Sequence, residues 1–163
     1  MYVVVGYGNV LRRDDGAGLI LAQHIADFLN LKGVDVLHIS VQQLAPELIY
    51  DFVGADGVIF VDTCAIHADP VVCVDPIFTQ PVSMTVGHHM APEMLLLLLE
   101  KLLDISLPAW MVRVPGWDFG FGEGMSSQTQ RALTHFGDEL ERDWQAIFPA
   151  ESLFQTNTTR RAY

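Results

Sequence analysis

Two adjacent carboxylates, Asp14 and Asp15, a third at Asp62, and a pair of imidazoles, His88 and His89, are the side chains of this 163-residue chain best suited to meet at one chemical centre. Two carboxylates and one imidazole make a donor set for a borderline divalent cation. Three protein ligands would leave coordination positions open for water or substrate, unlike a closed structural site. Adjacent residues point in different directions, so one imidazole of the pair is expected to reach the centre. Each group also has a plainer reading. Asp14 and Asp15 stand before a helical pattern and suit capping and dipole partnership, Asp62 suits a turn at a strand end, and the histidines suit a solvated loop or a helix start.

Other motifs carry less. Gly6-Tyr7-Gly8-Asn9 begins like a dinucleotide-binding fingerprint, but Leu11 stands where the third glycine of G-x-G-x-x-G is needed. Two carboxylates near the following helix N-terminus would also repel a pyrophosphate and attract a cation. Cys64, His67 and Cys73 have no standard zinc spacing and lack a fourth ligand, so both cysteines read as small buried hydrophobes. No G-x-S-x-G elbow is present. Glu123, in a glycine-rich stretch, reads as a loop or cap residue.

The elements that must position these groups alternate. Short β-branched runs are predicted as strands over 2–6, 34–39, 57–62, 71–74 and 110–114, with helices over 14–30, 46–53, 90–104 and 127–148. A loop is predicted over 76–87, and Ser127 with Gln130 suggests a capping box. This is the mark of βαβ units. The expected fold is α/β, three-layered, with a mainly parallel twisted sheet and helices on both faces, phosphorylase/hydrolase-like. Residues 1–150 form one domain, and 151–163 are expected to be a flexible tail with little to bury. In such a sheet ligands bind beyond the carboxyl ends of strands. Asp14 and Asp15 follow the first strand, and Asp62 closes the central one.

Composition narrows the class. Twenty acidic residues against nine basic give a net charge of −11. That disfavours a nucleic-acid or anionic-membrane partner. Half the residues are hydrophobic, and at this length roughly 70% of the unfolded chain's surface is expected to be buried, enough for a core without staples. The longest apolar run, 94–99, is far short of the ~20 residues that span a bilayer. The first residues read as a strand rather than a signal peptide, and two cysteines fit a reducing compartment, so a cytoplasmic location is expected.

The stretch GYGNVLRRDDGAG at 6–18 resembles the N-terminal signature of the [NiFe]-hydrogenase maturation endopeptidases, approximately G-x-G-N-x-L-x-x-D-(D/E)-G-x-G. QLAPEL at 43–48, VIFVD at 58–62, GHHMAP at 87–92 followed by leucines, and FGFGEGMS at 119–126 follow in the family's order, so the resemblance covers about residues 3–148. It implies a cytoplasmic protease that trims a C-terminal peptide from a hydrogenase large-subunit precursor after nickel insertion. It also implies that Asp15, Asp62 and His88 contact the metal and carry the catalysis, with His89 a rival to His88. The nickel is expected to arrive with the precursor, so that metal recognition places the scissile bond. Gly87 stands where the family often has serine or threonine, and Cys64 follows Asp62 closely, but neither change removes a ligand. The alternatives are a nickel-dependent docking or chaperone module that does not cut, and a peptidyl-tRNA hydrolase-like enzyme, which the acidic charge disfavours.

Overall fold

The structure is a computed structural model and describes residues 1–65, 70–78 and 90–149. Its strands are β1 (Tyr2–Tyr7), β2 (Val36–Val41), β3 (Gly57–Ala65), β4 (Cys73–Ile77) and β5 (Ala109–Gly116). The α-helices are α1 (Ala17–Leu31), α2 (Pro92–Leu103) and α3 (Ser127–Ile147), with 3-10 turns at Arg13–Gly16 and Pro46–Phe52. The strands form one sheet in the order β2-β1-β3-β5-β4. All pairings are parallel except β4 with β5. The expected three-layer α/β architecture is therefore present.

Alternation along the strands fills both layers. Val4, Ile59, Val61, Trp110 and Val112 face α1 and α3, packing with Leu21, Ile25, Leu29, Phe136 and Leu140. Val3, Val5, Val58 and Phe60 face the other way, onto Leu48, Phe52, Leu95 and Leu99. Each fully buried side chain of this size contributes about 1.5–3 kcal/mol. Central strands covered on both faces must be apolar on both, which is why β1 and β3 read as continuous hydrophobic runs.

Several boundaries differ from the sequence expectation, each for a local reason. The first helix begins at Ala17 rather than at 14, because residues 13–16 form a tighter turn with Arg13 at φ +48°. The second strand runs Val36–Val41, two residues later than expected, because Gly33 at φ +82° and Val34 still complete the end of α1, their N–H groups donating to Asn30 and Leu29 carbonyls at 3.0 Å. β3 continues to Ala65, so Asp62 lies inside the strand and not at its end. β4 lies at Cys73–Ile77 and includes Pro76, which the sequence placed in a loop; proline is tolerated there because β4 is an edge strand. The N-cap of α3 is Ser126 rather than Ser127: its hydroxyl accepts from the Thr129 N–H at 3.3 Å, while Gln130 reaches the Met125 carbonyl. α3 is interrupted at Asp143, whose carboxylate accepts from the Ala146 N–H and caps the last turn. The tail at 151–163 lies outside the described residues.

Candidate active site

In the order β2-β1-β3, the chain leaves β1 toward one side and later returns to pair on the other. Such a reversal opens a crevice beyond the strand carboxyl ends, here between β1 and β3. Asp15 and Asp62 both lie there. β1 and β3 pair as far as Gly6 with Val61, which makes Asp62 the first residue of β3 beyond that partner.

Local sequence brings Asp15 back to the strand it has just left. Gly8 adopts φ +143°, and a Cβ on it would stand 2.1 Å from the Asp15 carbonyl oxygen, so only glycine fits. Asn9 closes an Asx turn, its Oδ1 accepting from the Leu11 N–H at 2.9 Å. The Asn9 N–H in turn donates to Asp15 Oδ2 at 2.9 Å, fixing that carboxylate against the start of the loop.

Gly18 brings the second carboxylate close. A Cβ at Gly18 would meet the Asp62 Cα at 2.9 Å, and the Gly18 N–H donates to Thr63 Oγ1 at 2.9 Å in a buried contact. The start of α1 is thus seated on the backbone of Asp62. A Gly18→Ala change should cost about 1–3 kcal/mol by overpacking. It should also move α1 off the backbone of Asp62 and separate the two carboxylates, which chemical denaturation and a structure of the variant together would show.

Asp15 and Asp62 line one cavity of about 420 Å3, together with Tyr7, Asn9, Arg12 and Gln43. Burial pushes the Asp62 carboxyl up to about 6; the Thr63 N–H, donating at 2.7 Å, opposes that rise, the charge of Asp15 adds to it, and a hydrogen bond from Tyr7 opposes it. Burial, followed by the charge of Asp62, raises the Tyr7 phenol, which therefore stays a neutral donor. A second carboxylate beside the half-buried Asp62 favours a cation at this cavity.

Asp14 belongs elsewhere. Its side chain is 0% exposed and accepts from the N–H groups of Trp117, Asp118 and Ser126 and from the hydroxyls of Ser126 and Thr129, at 2.6–2.9 Å. Burial works against its charge, but these donors outweigh it and hold the carboxyl down to about 2. Asp14 therefore ties the loop after β1 to the loop after β5.

His88 and His89 lie outside the described residues, as does His67. Met90, the next residue after the pair, lines the cavity. Among the described residues no group of three His, Cys, Asp or Glu side chains is placed to hold a metal ion. Cys64 and Cys73 lie on β3 and β4, strands separated by β5, and Glu123 is an exposed loop residue. A larger cavity of about 630 Å3 is lined by Val10, Ile20, Met125 and Leu133 and contains no carboxylate or imidazole. Sequence inspection did not single out Tyr7, Arg12 or Gln43 as lining the site. The position of Gln43 just past a strand end was the available signal.

The fold is shared with solved proteins. A [NiFe] hydrogenase maturation protease HycI from Thermococcus kodakarensis KOD1 aligns with TM-score 0.63 at 16% identity, covering 86% of this chain and 90% of its own. The maturation protease HybD from the same organism aligns with TM-score 0.59 at 17% identity over 86% and 97% of the two chains. HybD from E. coli, a hydrogenase maturating endopeptidase, gives 0.58 at 16% identity over 89% and 93%. No protein-family model and no curated protein sequence matches the chain.

Proposed function

We propose that this chain is a [NiFe]-hydrogenase maturation endopeptidase, which removes a C-terminal peptide from the large-subunit precursor once nickel is in place. The observation that carries the proposal is the meeting of Asp15 and Asp62 in one cavity at the β1/β3 crevice, on a fold shared with proteases of that name. No described helix is long and apolar enough to cross a membrane.

Nickel enters as part of the substrate. Asp15, held at Oδ2 by the Asn9 N–H, keeps Oδ1 without a hydrogen bond among the described residues, and Asp62 is oriented by the Thr63 N–H. With His88 from the preceding segment, these residues complete the coordination of the cargo metal and so bring the peptide bond beside it. Recognition and timing then become one event. A carboxylate of the pair that is not engaged by the metal takes the proton from the attacking water; Asp62 is one candidate for that role. Asp15 is the other carboxylate in reach of that role. The metal supplies charge stabilisation at the carbonyl oxygen.

Asp15→Asn and His88→Ala should give folded proteins that trim nickel-loaded precursor at least about 100-fold more slowly, the usual scale for loss of an acid-base or metal-contacting group. His89→Ala should trim normally. Mass spectrometry of the precursor reads the outcome. A protein that binds the precursor without ever shortening it would be a docking module, and equal trimming by all three variants would reject the ligand set.

A further inference from the structure

Beside the cavity, two loops are laced together, residues 10–13 after β1 and 117–122 after β5. Arg12 pairs with Gly122 in a parallel bridge, the Arg13 N–H donates to the Gly122 carbonyl at 3.2 Å, and the Gly122 N–H donates to the Leu11 carbonyl at 3.0 Å. The buried Asp14 carboxylate locks the same two loops from beneath. On this ledge Leu11 and Phe121 are 57% and 84% exposed.

Arg12 lies on the ledge and also lines the cavity. Its Nε donates to the Phe119 carbonyl at 3.3 Å, and its guanidinium carbon lies 5.9 Å from the centre of the Phe121 ring. In a protein of net charge −11 it has no carboxylate partner among the described residues, whereas its neighbour Arg13 is paired with Asp118. Asp15 and Asp62 share the cavity with it, yet it forms no ion pair with either. The guanidinium is thus pre-oriented by a carbonyl and an aromatic ring, with charge to spare in the wall of an acidic pocket. A cation fits the two carboxylates, and an anion fits the guanidinium.

We propose that Arg12 is a specificity-determining residue that receives an Asp or Glu side chain of the substrate segment flanking the scissile bond, with Leu11 and Phe121 packing against that residue's apolar neighbours. This assignment rests on the endopeptidase function proposed above. A planar guanidinium matches a carboxylate in bidentate geometry, and the aromatic ring beside it supplies the rigid apolar contact typical of binding hot spots.

The test is steady-state trimming of nickel-loaded precursor by the wild-type protein, Arg12→Gln, Arg12→Glu and, as a control at an exposed position near the C-terminal end of α2, Leu102→Ser. Loss of one charge-assisted contact made equally in ground and transition states should raise KM about 10- to 100-fold in Arg12→Gln with kcat little changed. Arg12→Glu should be worse. A precursor carrying a single Asp or Glu to Lys replacement in the flanking segment should restore trimming by Arg12→Glu while being cut poorly by wild type. Arg12 variants with KM within about twofold of wild type would overturn the proposal, and so would a raised KM that no such replacement rescues, because the anion would then not be an acidic side chain. If wild type trims nothing, the endopeptidase function itself fails and the role of Arg12 with it.

Discussion

An Asp62→Asn variant should be more stable than the wild-type protein at pH 7.5 without metal, and should trim no precursor. In the fold the carboxyl sits near 6, against 3.8 ordinarily, with burial the leading cause. The sign follows from linkage. A raised carboxyl gives stability that is fully present below about pH 4, where both folded and unfolded chains carry the proton, and is lost as pH rises through about 6. Two units correspond to about 3 kcal/mol, and part-exposure of the side chain reduces that, so a gain of about 1–3 kcal/mol is expected. Asparagine still accepts from the Thr63 N–H and removes the charge beside Asp15. Urea unfolding at pH 7.5 and 4.5 should show a gap between the two proteins that narrows at the lower pH. A variant less stable than wild type at pH 7.5 would contradict the strain assigned to this carboxylate.

Asp14→Ala should have the opposite profile, with its effect on folding rather than on chemistry. Alanine would leave three N–H groups and two hydroxyls without their common acceptor in a site from which water is excluded. Breaking a buried, multiply bonded charge costs about 3–5 kcal/mol, a large share of the stability of a domain this size. Thermal melts followed by circular dichroism should show a collapse in Tm or no cooperative transition. The wild-type protein carries the same signature in acid. A carboxyl held down to about 2 gives stability that is present above about pH 4 and lost as pH falls toward 2. Asp15→Asn, one residue on, should melt close to wild type, so the pair separates a folding clamp from a site residue. A stable Asp14→Ala would show that the two loops need no tie.

That division was hidden in the sequence. Asp14 and Asp15 read as equivalent acids before a helix, and the partners that set Asp14 apart lie 103 to 115 residues away. The same distant bonds account for the late start of α1, because a carboxylate occupied by another loop does not cap its own helix. By contrast β1, β3 and α1 were legible, since their apolar spacing is imposed locally by burial on one or two faces. β4 was misplaced because Pro76 reads as a loop signal unless the strand is known to be an edge, and only the assembled sheet shows that. The site itself was half legible. The meeting of Asp15 and Asp62 followed from the strand-end rule, although Asp62 lies within its strand, while Tyr7 and Arg12 enter the cavity through loop geometry that residue type does not signal. The two glycines that let the backbone close on Asp15 and on Asp62, Gly8 and Gly18, were visible as part of a motif, but their reason was not.

The proposed function has the Asp15 and Asp62 carboxylates grip nickel carried by the precursor. Nickel-loaded and nickel-free forms of the same large-subunit precursor, incubated side by side with the wild-type protein and analysed by mass spectrometry, test it most directly. Shortening of the loaded form alone, by one C-terminal peptide, is the predicted result. Equal shortening of both forms, or of neither, would contradict it.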